Sequence, residues 1–247
     1  WVTSLSVKAY RSNLNDFLTT YQQDNIARHF KLIQNEGIHP FNGTGPGGWG
    51  WTNYSGSVPD GDDTPGVILA LLKLQPKEKI KKEVLAGAKW LQQLQNSDGG
   101  FPTFSKGWGK LPFDKSCSDL TGHCLLAVSA ILETFKNDLQ NKELQVLGKL
   151  FKNALRYLEK NQSKNGSWLP LWFGNQLTNN YANPVYGTAK VVAYLKDAAS
   201  HQWINELNCN RLGKMIQKGN DFLISVQNND RSWGGDKSIP GSMEETA

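Results

Sequence analysis

Of 247 residues, only three are Cys, two are Met and four are His. Cys117, Cys124 and Cys209 are odd in number and spaced unlike a zinc site or a disulfide framework, so they read as free cytosolic thiols. No apolar run approaches the roughly 20 residues that a spanning helix needs, and a mean hydropathy of −0.50 excludes a membrane-spanning bundle. Strand signals are scarce as well, with no sustained alternation bounded by hairpin turns. No linker interrupts the chain, so one domain is expected over 1–247. The first residue is Trp1 and the last are Glu245-Thr246-Ala247, so both ends read as cut and the chain as part of a longer protein, with no signal peptide visible. A formal charge of +5 and a pI near 9.0 lean toward anionic surfaces. The densest basic run, Lys77, Lys79, Lys81 and Lys82, reads as a solvated loop leading into a helix, and no nucleic-acid motif accompanies it.

What the chain does have is aromatic: nine Trp, ten Phe and seven Tyr. They fall in a repeat. Trp90-Leu91-x3-Gln95-x3-Gly99-x-Phe101 recurs as Tyr157-Leu158-x3-Gln162-x3-Gly166-x-Trp168 and as Phe222-Leu223-x3-Gln227-x3-Arg231-x-Trp233, with starts 67 and 65 residues apart (90 to 157, 157 to 222). His29-Phe30-x3-Gln34 reaches its glycine and aromatic late, at Gly47-Gly48-Trp49, and reads as an earlier copy with a loop insertion. Each copy predicts a helix ending in a polar turn, the Gln bonding loose backbone groups and the aromatic covering the helix end.

A second series, Thr3, Thr64, Thr121, Thr188 and Thr246, lies between these copies and leads apolar segments such as TPGVILALLKL and TGHCLLAVSAIL. Two interleaved helix series at a period of about 60 residues predict a helical-hairpin array. The Thr-led helices are the more apolar and belong inside, the Gln-ended ones outside. Closing such an array gives an all-α fold, an (α/α) barrel whose Thr-side loops crowd one end of a central cavity.

Pro59-Asp60-Gly61-Asp62-Asp63-Thr64-Pro65 opens the second inner helix. It reads as a turn and helix start with Asp or Thr as N-cap, and equally as an acid site, because clustered carboxylates cannot all ionise cheaply and one is pushed toward its protonated form. Aromatic faces nearby would stabilise a cation that such a proton generates. Asp119-Leu120-Thr121-Gly122-His123 opens the third inner helix at the same end, which predicts His123 near Asp62.

These residues resemble the class II terpene cyclases, in particular the squalene-hopene cyclases and related squalene cyclase-like proteins. The Gln-to-aromatic repeats are similar to that family's QW motifs, Asp60-Gly61-Asp62-Asp63-Thr64 to its D-x-D-D-T acid motif, Trp1-x-Thr3 to its Trp-Asp-Thr element and Tyr186-Gly187-Thr188 to its Y-G-T element. The resemblance implies that Asp62 is the general acid that protonates a terminal alkene, that Asp60 and Asp63 position and tune it, and that His123 is its hydrogen-bonding partner. It implies cation-stabilising aromatics at Trp51, with Trp1 and Trp172 on the same wall, and at Phe104, where hopene-forming enzymes carry Tyr. Val2 replaces the Asp of Trp-Asp-Thr, and the loop from Leu169 to Val185 is longer than in that family. A squalene-like linear isoprenoid as substrate follows, with no cofactor, no metal, no nucleic acid, and monotopic contact at the inner face of a membrane. The family barrel has about six hairpins and a second domain, so residues 1–247 alone are expected to be inactive. Three alternatives share parts of this pattern: a class II cyclase of a prenyl diphosphate, a protein prenyltransferase subunit with zinc drawn from Cys117, His123 and Cys124, and a non-catalytic isoprenoid-binding barrel. Adjacent His123 and Cys124 diverge by about 100° on a helix, which disfavours a shared metal.

Overall fold

Each Gln-ended segment forms an outer helix and each Thr-led segment an inner one in the computed structural model, which describes residues 1–40, 43–54, 56–105, 112–206 and 210–247, apart from the side chains of 205 and 206. Cys209 lies outside the described residues. In chain order the helices are α1 (Val2–Ala9), α2 (Leu14–Phe17), α3 (Thr20–Leu32), α4 (Asp63–Leu74), α5 (Lys77–Leu94), α6 (Ser118–Phe135), α7 (Asn141–Asn161), α8 (Pro184–Ala199), α9 (Gln202–Glu206), α10 (Asn210–Ser225) and α11 (Met243–Thr246). The inner series α1, α4, α6, α8 and α11 packs neighbour against neighbour. Behind it, α5 packs on α4 and α6, α7 on α6, and α10 on α8. This is a two-layered arc of an all-α, (α/α)-barrel type.

Composition sorts the layers. In α6 nearly every residue from Ser118 to Leu132 is buried, as expected of a helix apolar on all sides. In α7 the buried residues Leu147, Leu150, Phe151, Ala154, Leu155 and Leu158 fall on one stripe, and its lysines face outward. One apolar core runs from Val7 to Met215, and a small second cluster joins Val185, Phe222 and Val226. The lysine run is not a loop: Lys77 is the first residue of α5, where it pairs with Asp138 at 2.5 Å. A cation at a helix start opposes the helix dipole, and this carboxylate offsets it. The only strands among the described residues are β1 (Phe101–Pro102) and β2 (Ser116–Cys117), antiparallel with Phe101 opposite Cys117, too short to show as alternation in sequence.

The repeat is a hydrogen-bonding device. Gln34, Gln95 and Gln162 each donate through Nε2 to a carbonyl of their own turn (Gly47, Gly99, Gly166; 2.8 to 2.9 Å) and to a carbonyl of the next outer helix (Glu83, Leu150, Met215; 2.9 to 3.0 Å). Gln227 makes the local bond, to Arg231 O at 2.9 Å. The turn residue has positive φ in every copy, +110°, +92°, +95° and +71°. A Cβ at Gly47, Gly99 or Gly166 would fall 2.2 to 2.6 Å from a carbonyl oxygen of the next outer helix, so glycine is required there twice over.

The aromatic of each copy ties outer layer to inner. Trp49, Trp168 and Trp233 donate their indole N–H to Phe30, Leu158 and Leu223 carbonyls of the preceding outer segment at 2.7 to 2.8 Å. Their backbone N–H groups, and that of Phe101, donate to the hydroxyls of Thr64, Thr188, Thr246 and Thr121 at 2.9 to 3.0 Å. In α4, α6 and α8 the recurrent Thr is therefore the acceptor that ties the first turns of the inner helix to the aromatic. Four residues beyond the carbonyl that receives each glutamine, the outer helix carries Gly87, Ala154 or Gly219. The two glycines leave room for an indole, since a Cβ would meet Trp49 Cζ3 at 2.8 Å and Trp168 Cζ3 at 3.1 Å. Alanine stands in the copy whose aromatic is the smaller Phe101.

Candidate active site

Asp60 holds the acid segment together. Its Oδ1 accepts from the backbone N–H of Asp62 at 2.8 Å and of Asp63 at 2.7 Å, so the loose N–H groups at the start of α4 go to Asp60. Of the Asp and Thr residues expected to cap this helix, Asp60 is the one that does so: Asp62 occupies the N-cap position with no side-chain capping bond, and Thr64 serves Trp49. Pro65 sits in the first turn, where a missing N–H costs nothing. Gly61 is dictated by space, because a Cβ there would lie 2.5 Å from Pro102 O of β1.

Freed from capping, Asp62 points into the space between inner helices. His123 Nδ1 lies 3.2 Å from Asp62 Oδ1, and Trp1 Nε1 donates to Asp62 Oδ2 at 3.2 Å. His123 is 2% exposed and its buried Nε2 has no hydrogen-bond partner among the described residues. Its imidazole stacks on Tyr194. Cys124, the next residue, turns away and donates from Sγ to Gly61 O at 3.4 Å. Cys117 donates to Asp119 instead, so Cys117, His123 and Cys124 face three different partners. Among the described residues no group of three His, Cys, Asp or Glu side chains is placed to hold a metal ion.

Burial raises Asp60 well above the ordinary carboxylate range, and the charge of Asp63 adds to the shift. Burial also raises Asp63 and Asp119. At Asp62 burial pushes upward too, but the hydrogen bond and charge of His123 and the Trp1 indole N–H outweigh it, and the group is lowered. His123 is lowered by burial against the pull of Asp62. With the cavity open, these directions make Asp62 the most acidic carboxyl of the cluster and Asp60 and Asp63 the ones that hold a proton more tightly. A third of the Asp62 side chain is still open, at 34% exposure.

That exposed part faces a cavity of about 790 Å3 lined by all three aspartates, by Asp119, and by Trp1, Trp51, Trp172, Phe104, Phe113 and Phe173 among others. All four aromatics singled out in the sequence therefore line it. Trp51 stands at the rim, 67% exposed. Trp172 is anchored through its indole to Thr103 Oγ1, and Phe104 meets Phe113 edge-on at 5.7 Å. Sequence reasoning missed Trp1 as a hydrogen-bond donor to the acid, Phe113 and Phe173 as lining residues, and Tyr194 behind His123. The last had a signal, a lone Tyr in the apolar run of an inner helix.

Residues 39–244 match the family described as the squalene-hopene cyclase C-terminal domain. Enfumafungin synthase of Hormonema carpetanum is 30% identical across 81% of this chain and 16% of its own length. A squalene–hopene cyclase of Bradyrhizobium diazoefficiens is 26% identical across 77% of the chain and 27% of its own length, and the squalene-tetrahymanol cyclase of Tetrahymena thermophila 31% identical across 61% and 23%. The helical-hairpin arc and an acid-tipped aromatic cavity mark a class II terpene cyclase type of domain. The chain belongs to the squalene-hopene cyclase family, and it spans between about a sixth and a quarter of the length of the relatives just named. Among the described residues no helix is long and apolar enough to cross a membrane.

Proposed function

We propose that the intact protein is a proton-initiated cyclase of a squalene-like linear polyprene, and that residues 1–247 supply the acid-bearing part of its catalytic barrel. The observation that carries this reading is a partly desolvated carboxylate, Asp62, held by His123 and Trp1 at the edge of a cavity otherwise walled by aromatic rings. An alkene is a very weak base, so its acid must be neutral, dry and aimed. Filling the cavity with hydrocarbon strips water from the exposed part of Asp62 and raises its proton affinity, drawing the proton over from the Asp60–Asp63 pair.

Asp62 O–H then protonates the terminal double bond. The π pair forms the new C–H bond, a tertiary cation is left, and each following double bond attacks in turn, converting π bonds to ring σ bonds. Asp62 is left as a carboxylate, stabilised by His123 and Trp1. The cation ends by losing a proton or adding water, and until then the Trp51, Trp172 and Phe104 faces stabilise it while the wall excludes water. Asp60 positions Asp62 through the backbone bonds to Asp62 and Asp63. No Lys or Arg stands among the described lining residues, which favours an uncharged polyene over a prenyl diphosphate. A substrate of this kind resides in the bilayer, so the reading includes peripheral contact with a membrane.

Incubation of the intact protein with squalene and, separately, with geranylgeranyl diphosphate, followed by mass spectrometry of the extract, tests it. Cyclic product from squalene is expected; product from the diphosphate alone would overturn the choice of substrate. Zinc analysis and binding of labelled polyprene without turnover would mark the prenyltransferase and binding-protein alternatives.

A further inference from the structure

Four inner helices each contribute one residue to a single column. Lys8 of α1 places Nζ 4.1 Å from the centroid of the Tyr194 ring on α8. That ring stacks on His123 of α6, with centroids 4.8 Å apart and planes 9° from parallel. His123 in turn meets Asp62 at the start of α4. Lys8 and Tyr194 have no part in the chemistry above, and neither lines the cavity.

Both are unexpected where they stand. A half-buried lysine costs desolvation; burial brings Lys8 down to about 8, against the attraction of Asp197. A cation held one ring away from an imidazole acts on it through its charge. An imidazolium stacked on Tyr194 would compete with the Lys8 ammonium for the same ring electrons and would be repelled by it directly.

We propose that Tyr194 and Lys8 are positioning residues for the acid pair: Tyr194 fixes the plane of the His123 ring, and the Lys8 charge, one ring away, adds to burial in disfavouring the imidazolium, so that the mobile proton belongs to the carboxylates. The proposal rests on the reading of Asp62 as the acid. The charged and titratable groups around His123 are Asp62 at the start of α4, Lys8 on α1, Lys190 and the phenols of Tyr186 and Tyr194 on α8, and Asp119 and Cys124 on its own helix. Of these, Asp62 favours the imidazolium, and Lys8 and Lys190 oppose it. Lys190 lies 5.4 Å from the centroid of Tyr186, one turn before Tyr194, and reinforces Lys8.

The test is the titration of His123 in intact protein labelled with 15N-histidine, its signal assigned with the H123Q variant. Lys8→Met removes the charge and is expected to move the His123 midpoint upward by about one pH unit, the size of a single unit charge at this range in a partly buried site. Lys8→Arg, which keeps the charge, and Tyr194→Phe, which keeps the ring, are expected to leave it in place. Lys8→Gln repeats the charge removal should the Met variant fold poorly. An unmoved midpoint in a folded Lys8→Met or Lys8→Gln protein would overturn the proposal. No turnover is needed for this reading, so the two claims fail separately: absence of any cyclisation with a shifted midpoint sinks the acid role of Asp62, and loss of cyclisation in Asp62→Asn with an unmoved midpoint sinks the column.

Discussion

His123 Nδ1 stands 3.2 Å from Asp62 Oδ1 although 61 residues separate them in the chain. The contact exists because α4 and α6 are consecutive inner helices that begin at the same end of the arc, the first turns of each tied by a Thr hydroxyl to an aromatic backbone N–H. The repeat therefore does more than hold the layers together: its register sets the geometry of the Asp62–His123 pair.

If Asp62 is the proton donor, Asp62→Asn in the intact protein lowers turnover by about 10^3 or more, within the usual range for a positioned acid, while leaving the fold unchanged. Product formation and circular dichroism on the same preparation check both halves. His123→Gln should cost less, since it leaves the carboxyl in place.

Asp60 accepts from two backbone N–H groups at the start of α4, so its substitutions separate by chemistry. Asp60→Ala leaves two backbone N–H groups without their acceptor and should destabilise by about 1 to 2 kcal/mol, the range for a lost N-cap. Asp60→Asn keeps an acceptor oxygen and should unfold near the parent in mildly acidic buffer. Denaturant titration reads both.

The pH dependence has a definite sign. Burial makes Asp60 hold its proton more tightly folded than unfolded, so its contribution is favourable in acid and is lost as pH rises from the ordinary carboxylate range toward the folded value. Asp60→Asn removes that loss. The stability difference between Asp60→Asn and the parent should grow from about pH 4 upward and then level off; a difference that shrinks with rising pH would contradict the assignment. Asp62, lowered rather than raised, acts oppositely, stabilising above the ordinary range and less as pH falls through its folded value.

The repeat makes its own predictions. Arg231 occupies the positive-φ turn position that glycine holds in the other copies, so Arg231→Gly should stabilise by about 1 kcal/mol, whereas Gly99→Ala should destabilise strongly, its Cβ lying 2.6 Å from Asn153 O. Phe101→Trp should be tolerated only together with Ala154→Gly, which recreates the pairing seen at Trp49 with Gly87. Thermal melts of the single and double variants check the coupling.

The layers, the helix order and the address of Asp62 were legible because they depend on periodicity: Gln and aromatic at fixed offsets, Thr at a period of about 60 residues. Which carboxylate caps α4 stayed open because Asp60, Asp62 and Asp63 are all good capping residues, and only the turn geometry decides which reaches the free N–H groups. The strand pair β1–β2 was invisible because two residues carry no alternation. Lys77 was placed in a loop because its partner Asp138 lies 61 positions away. Trp1 was read as a wall aromatic, and nothing in a sequence tells whether an indole presents its face or its N–H. The column of Lys8, Tyr194 and His123 crosses three helices and follows from side-chain directions alone.

The most direct test of the central claim, that Asp62 delivers a proton to the substrate, is turnover of squalene by the intact protein in deuterated buffer. Cyclic product carrying a single deuterium on the first-ring methylene next to the gem-dimethyl carbon is expected from the parent and is lost with Asp62→Asn. Cyclic product without that deuterium, or equal product from Asp62→Asn, would contradict it.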